Sequence, residues 1–165
     1  MLGYPGAGKT TTAKIIHELT GAELLWADHA RREMFTTPTH SPSENLELYN
    51  HLNDKAASLL ARGRSVIFDT NFNFYKDREH LRQIANRRGA KTLLVWVTAP
   101  KELAKQRATD STPLQHTRIL GNMPATVWER LSSNLQPPRP DELTLQVDGT
   151  KVSPDYIRSL LSDTL

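Results

Sequence analysis

Short apolar runs at 24–26, 66–68, 93–97 and 143–147 punctuate the chain, separated by longer segments in which apolar residues return every three to four positions. The runs read as short buried strands and the longer segments as amphipathic helices. Their alternation predicts an α/β fold, a parallel sheet covered by helices, because parallel neighbours need crossovers long enough to hold a helix. The first helix runs over about 9–19, with Ala13, Ile16 and Leu19 on its apolar side, Ile15 beside them, and Gly21 suited to its end. A longer helix over 43–62 gathers Tyr49, Leu52, Ala56, Leu59 and Leu60 on one face before Gly63, and those side chains read as core. Asp77, Leu81, Ile84 and Ala85 fit a third helix ending near Gly89, and Pro100 suits the first turn of another that carries Leu103 and Arg107. Two more fit 124–135 and 154–161; Pro137, Pro138 and Pro140 stop the first and read as a rigid connector into the last strand.

The first helix opens with Gly3-Tyr4-Pro5-Gly6-Ala7-Gly8-Lys9-Thr10, a full match to G-x-x-x-x-G-K-[ST]. Glycines at 3, 6 and 8 let successive backbone N–H groups curl around a phosphate at the positive end of a helix. Lys9 is then expected to reach the β and γ phosphates of a nucleoside triphosphate. Thr10 would place its hydroxyl on Mg²⁺, which prefers oxygen ligands and substrate phosphates. The nucleotide-binding set is Gly3, Gly6, Ala7, Gly8, Lys9, Thr10 and Thr11, although Thr11, like Thr12, also reads as an ordinary first-turn residue. A glycine-rich turn that merely caps a helix is the plain alternative, and the completeness of the motif weighs against it. Such a loop normally follows about five apolar residues, whereas only Met1 and Leu2 precede this one. The expectation is a first strand largely truncated, by a start assigned too late or by fragmentation.

With 165 residues, 38% of them apolar, the chain can bury one core and reads as a single domain over 1–165. The absence of cysteine excludes disulfides, thiolate metal sites and a cysteine nucleophile. The longest apolar stretch, 93–97, is too short to span a bilayer, and no basic segment followed by an apolar signal core opens the chain, so the reading is cytoplasmic with no membrane partner. A net charge of +3 makes anionic substrates reasonable, but 21 basic and 18 acidic residues are interspersed, which allows nucleic acid without indicating it. Arg78, Arg82, Arg87 and Arg88 on the third helix read as a solvated face. The six histidines lack metal-ligand spacing, and His29 and His116 read as surface residues. No guanine-reading Asn-Lys-x-Asp is present, which tilts the nucleotide towards ATP.

Three places could handle a second substrate. Asp28 and Arg31 follow directly on the run at 24–26, where strand ends open onto the ligand crevice of an α/β sheet. Asp28 could take the proton of an attacking hydroxyl and Arg31, three residues on, could hold an anionic group; Asp28 could equally cap the next helix. Asp69 ends the run at 66–68, the arrangement by which phosphate-loop proteins place a carboxylate near Mg²⁺, with Asn71 in reach of substrate, although Asp and Asn also favour turns for local reasons. Lys105 to Arg107, followed by a polar stretch carrying Arg118, could form a cationic flap over the phosphates or a plain helix end.

The phosphate loop with its second threonine, Asp28-x-x-Arg31, Asp69-Thr70-Asn71 followed by Phe72-Asn73 and Arg78, and the segment from Glu102 to Arg107 occur in the order seen in polynucleotide 5′-hydroxyl kinases and related small predicted kinases. Over essentially its whole length the chain resembles that group of the phosphate-loop superfamily, with its AAA-type ATP-binding domain. The resemblance implies a parallel sheet of strand order 2-3-1-4-5, Asp28 as general base, Arg31 as a substrate-phosphate contact and Arg107 as a flap residue. Polynucleotide kinases carry a second flap arginine four residues after the first; Ser111 stands there here, with Arg118 as the available substitute. The expected function is an ATP- and Mg²⁺-dependent kinase acting on a hydroxyl, either of a small molecule or of a nucleic-acid 5′ end. A non-transferring ATP-binding module and a truncated inactive remnant are the rival readings.

Overall fold

The computed structural model describes residues 1–110 and 123–164. Among them the elements follow as α1 (Lys9–Thr20), β1 (Glu23–Trp26), α2 (Ala27–Met34), α3 (Pro42–Ala61), β2 (Val66–Asp69), α4 (Tyr75–Asn86), β3 (Leu94–Thr98), α5 (Lys101–Thr109), α6 (Ala125–Ser133), β4 (Thr144–Asp148) and α7 (Pro154–Ser162). Every strand expected from an apolar run is present to within a residue at either end. Ser41 caps α3, its hydroxyl accepting from Glu44 N, and Gly21 ends α1 in the left-handed region at φ 67°, donating back to His17 O. Among the described residues no helix is long and apolar enough to cross a membrane.

The strands pair in parallel, β1 on β2 with Trp26 opposite Asp69, and β3 on β4 with Thr98 opposite Asp148. Met1 and Leu2 lie between the two pairs. The Met1 nitrogen donates to Phe68 O at 3.0 Å, while Leu2 N donates to Val95 O and Val97 N to Leu2 O, both at 2.8 Å. With this two-residue lane counted first, the lanes run 2-3-1-4-5, the order that the resemblance implied.

Alternate strand residues face opposite layers. Leu24 and Ile67 join Ala13 and Ile16 of α1 and Ile157 and Leu161 of α7, whereas Leu25 and Phe68 pack on Leu48, Leu52 and Ala56 of α3. Burial on both faces is why β1 and β2 read as continuous apolar runs, whereas β4 alternates, with Leu145 and Val147 buried and Gln146 exposed. On α3 it is Leu48, not Tyr49, that is fully buried; Tyr49 stands beside the core and its phenol meets Thr70 Oγ1 at 2.8 Å.

Arg78 and Arg82 do not form a solvated face. Arg78 is 6% exposed and pairs with Glu142 through Nε and Nη2 at 2.6 and 2.8 Å, while its Nη1 donates to Phe72 O and Gln136 O. Arg82 binds Glu79 and, at 2.6 Å, Asp141. Together they clamp the proline connector against α4 and hold it on its way into β4.

Candidate functional site

The C-terminal ends of the strands deliver the candidate residues to one edge of the sheet, as ligand crevices of open α/β sheets require. Gly3 to Gly8 form the turn between Leu2 and α1, closed by Ala7 N donating to Tyr4 O at 3.0 Å. Gly6 has a φ of 86°, and a Cβ there would stand 2.1 Å from Ala104 O, so α5 packs against the loop at a distance only glycine permits. Trp128 of α6 is fully buried and donates Nε1 to Pro5 O at 2.9 Å, with its ring 5.9 Å from that of Tyr4. The loop is thus braced from behind by α5 and α6.

Lys9 is 9% exposed, and its Nζ donates to Gly3 O at 2.9 Å and Tyr4 O at 3.0 Å, the loop's own carbonyls. Burial carries its pKa down to about 8, against the pull of Asp69 and Asp28. Ala7 is buried, Thr10 half-buried and Thr11 exposed, and the Thr10 hydroxyl makes no hydrogen bond to a described residue.

Asp69 closes β2 at 3% exposure, and its Oδ2 is buried without a hydrogen-bond partner. A carboxylate oxygen in that state calls for a cation or its water shell. With the Thr10 hydroxyl at the adjacent loop, the donor set is all oxygen, which fits Mg²⁺. Among the described residues no three His, Asp or Glu side chains converge.

The register that sets Trp26 beside Asp69 brings Asp28, in the first turn of α2, to the same edge. No loop separates β1 from α2, and the helix is capped at Trp26 rather than at Asp28, so the carboxylate is not consumed by capping. Asp28 keeps an exposed face; partial burial, then the charge of Asp69, push its pKa up, while Arg31, His40 and Lys9 oppose them. Lys9, Asp28 and Asp69 therefore share one electrostatic neighbourhood.

Arg31 is placed differently from a free anion ligand. It is 4% exposed, with Nη1 paired to Glu44 Oε1 and Nη2 donating to Asn45 Oδ1 at 2.6 Å, and its Nε is buried without a partner. Asn71 is exposed two residues beyond Asp69. Arg107, in the last turn of α5, donates Nη1 to Gly149 O at 3.0 Å and so reaches the loop after β4. Ser111, His116 and Arg118 lie outside the described residues.

Gly149 is a site residue that the sequence reading passed over. Asp148-Gly149-Thr150 follows an apolar run just as Asp69-Thr70-Asn71 does, and that repeated strand-then-turn pattern was the available signal.

A solved candidate kinase from Chloroflexus aurantiacus is similar to this chain at 20% identity and a TM-score of 0.77, covering 99% of this chain and 96% of that one. A sugar kinase from Janibacter sp. HTCC2649 matches at 22% identity and 0.68, over 99% and 92%. The APS kinase of Mycobacterium tuberculosis, in complex with AMPPNP and APS, matches at 16% and 0.64, over 99% and 95%. No curated protein matches the chain. The model of the AAA domain family matches residues 1–138, taking in the phosphate loop, Asp28, Asp69 and Arg107. On that match and the sheet that carries it, the chain belongs to the AAA domain family and has the phosphate-loop fold of these kinases.

Proposed function

We propose that this chain, acting as one domain over 1–165, is an ATP- and Mg²⁺-dependent kinase that moves the γ-phosphate to the hydroxyl of a small acceptor. The observation that carries the reading is the convergence of Lys9, Asp28 and the hydrogen-bond-free Oδ2 of Asp69 beside a complete phosphate loop. A loop that only held a nucleotide would have no use for an open carboxylate one strand away. The sugar kinase and the APS kinase that this chain resembles are each named for a small acceptor, which supports a small molecule over a nucleic-acid 5′ end. The supply of Mg-ATP makes the cytoplasm the natural compartment for the reaction.

In this reading the loop N–H groups from Gly6 to Thr11 cradle the phosphates, and Lys9 exchanges its bonds to Gly3 O and Tyr4 O for the β and γ phosphates. Thr10 and Asp69 would hold Mg²⁺, which when bound neutralises charge on those phosphates. Asp28 accepts the proton of the acceptor hydroxyl as its oxygen bonds to the γ phosphorus and the bond to the ADP oxygen breaks. Arg107, now tied to Gly149 O, would exchange that bond for a phosphate oxygen as the flap cation, and the exposed Asn71 would contact the acceptor. The products are ADP, the phosphorylated acceptor and one proton.

Acceptor-dependent ADP release from Mg-ATP, compared between the unmodified chain and Asp28→Asn, tests this. The reading requires an acceptor that stimulates release only with Asp28 intact. Stimulation that survives the substitution would remove Asp28 as the base, and ATP turnover that no hydroxyl compound stimulates would favour a non-transferring module.

A further inference from the structure

At the end of α2, one helical turn beyond Asp28, the surface opens into a cavity of about 560 Å³ lined by Arg32, Phe35, Thr36, Pro38 and His40. That volume lies within the range of small-ligand sites. Asp28 and Arg32 fall at i and i+4 on α2, so Arg32 stands one helical turn from the candidate base, and Phe35 follows directly after the helix at the cavity. Arg32 makes no hydrogen bond or ion pair with a described residue, not even with Asp28 one turn away. The His40 imidazole makes no hydrogen bond to a described residue either, and it lines the same cavity as Arg32.

His40 is held there by construction. Its φ of 56° is in the left-handed region, and its carbonyl accepts from Asn45 Nδ2 at 3.1 Å. The preceding Thr39 donates both its N–H and its hydroxyl to Glu44 Oε2, at 2.6 and 2.7 Å, while Glu44 and Asn45 are gripped by Arg31. Arg31 therefore acts as the frame of the 39–40 turn. Among the described residues lining the cavity, Arg32 and His40 are the nitrogen-bearing side chains left open. An unpaired guanidinium and an imidazole on one wall, with Phe35 and Pro38 beside them and the Thr36 hydroxyl available, suit a compact organic anion with an apolar side.

We propose that Arg32 and His40 hold the anionic group of the acceptor, a small hydroxyl-bearing carboxylate, sulfate or phosphate ester whose hydroxyl is presented to Asp28. The proposal rests on the kinase reading above for the word acceptor, but the anion site can be tested without turnover. Calorimetric titration of the protein in Mg-ADP with D-gluconate, adenosine 5′-phosphosulfate, glycerol 3-phosphate, neutral D-glucose and a 5′-hydroxyl oligonucleotide separates the classes. At least one small anion should bind, about tenfold to a hundredfold more weakly to Arg32→Gln, as expected for a charge-assisted contact. His40→Asn, which tolerates the positive φ, should weaken the same anion. Anions binding unmodified protein and Arg32→Gln alike, no small anion binding at millimolar concentration, or D-glucose or the oligonucleotide binding in their place would overturn it. Arg32-dependent anion binding with no ADP release from Mg-ATP in any of these compounds would uphold the anion site and count against the kinase reading alone. A melting-temperature rise on adding Mg-ATP to each variant verifies that it is folded.

Discussion

Gly149 lies so close to Ala7 that a Cβ at Gly149 would stand 2.0 Å from the Ala7 carbonyl oxygen. The turn after β4 is in this way pressed against the back of the phosphate loop, with Gly149 N bonded to Thr98 O at 2.7 Å and Gly149 O to Arg107. Gly149→Ala has no room to relax except by moving the loop. It should destabilise the fold by about 1–3 kcal/mol, the usual cost of overpacking, and weaken ATP binding beyond what the lost stability explains. Unchanged melting temperatures with and without Mg-ATP would show the contact to be irrelevant to the loop.

Asp28 offers a test with opposite signs for activity and stability. Its pKa is raised, by burial first and by Asp69 second, so the ionised base required for transfer is costly to the folded state. The acid limb of kcat/KM should therefore lie above the ordinary aspartate value of 3.8, with activity rising with pH through it. Stability contributed by the raised pKa is present at low pH and lost as pH climbs through the folded value. Asp28→Asn should lower acceptor-dependent turnover about 10²- to 10⁴-fold, retain ATP binding and melt no lower than the unmodified chain at neutral pH. A clear drop in melting temperature would mark Asp28 as structural.

For Lys9 the folded pKa of about 8 lies below its ordinary 10.5. Between those values the unfolded chain binds more protons than the folded one, so the nucleotide-free protein gains stability as pH rises from about 8 to 10.5. Nucleotide affinity should run the other way, since the triphosphate needs the ammonium. Melting scans from pH 7 to 10.5 should show the largest stabilisation by Mg-ATP below about pH 8 and a shrinking one above it. In Lys9→Met the lysine's share of the slope should vanish along with ATP binding.

Arg78 and Glu142, with side chains 4% and 5% exposed, form the buried pair that anchors the proline connector. Burial pushes Glu142 up, but hydrogen bonds from Arg78 and Arg139 N outweigh it and hold the carboxyl below the usual glutamate value. The pair's contribution is thus present above pH 4.5 and is lost as pH falls through the lowered value. Arg78→Ala leaves a buried carboxylate unpaired and should cost about 3 kcal/mol in urea unfolding at neutral pH. Arg78→Lys should recover little, because one ammonium cannot replace a fork bonded to Glu142, Phe72 O and Gln136 O together.

Local chemistry made much of this molecule readable in advance. The phosphate loop could be named because its spacing is contiguous, and β1 to β3 because burial on both faces leaves a short unbroken apolar run, whereas the edge strand β4 alternates apolar with polar residues. Gly21 and Gly63 marked helix ends because the left-handed conformation they adopt, at φ 67° and 71°, is a property of single residues. The nearness of Asp28 and Asp69 to the loop followed from their standing at the ends of neighbouring apolar runs.

What stayed hidden depends on partners far apart in the chain. Arg31 and Arg32 are adjacent and chemically identical, yet one is locked to Glu44 thirteen positions away and the other is open, a difference set by which face of α2 meets α3. Arg78 looked like part of a charged surface until Glu142, sixty-four positions on, came beneath it. Gly149 looked like any turn glycine until the fold pressed it onto Ala7. Residue type and periodicity specify how each segment is shaped and which side it buries; which charges end up paired, and which remain free to meet a substrate, is settled by packing between segments that no local pattern encodes.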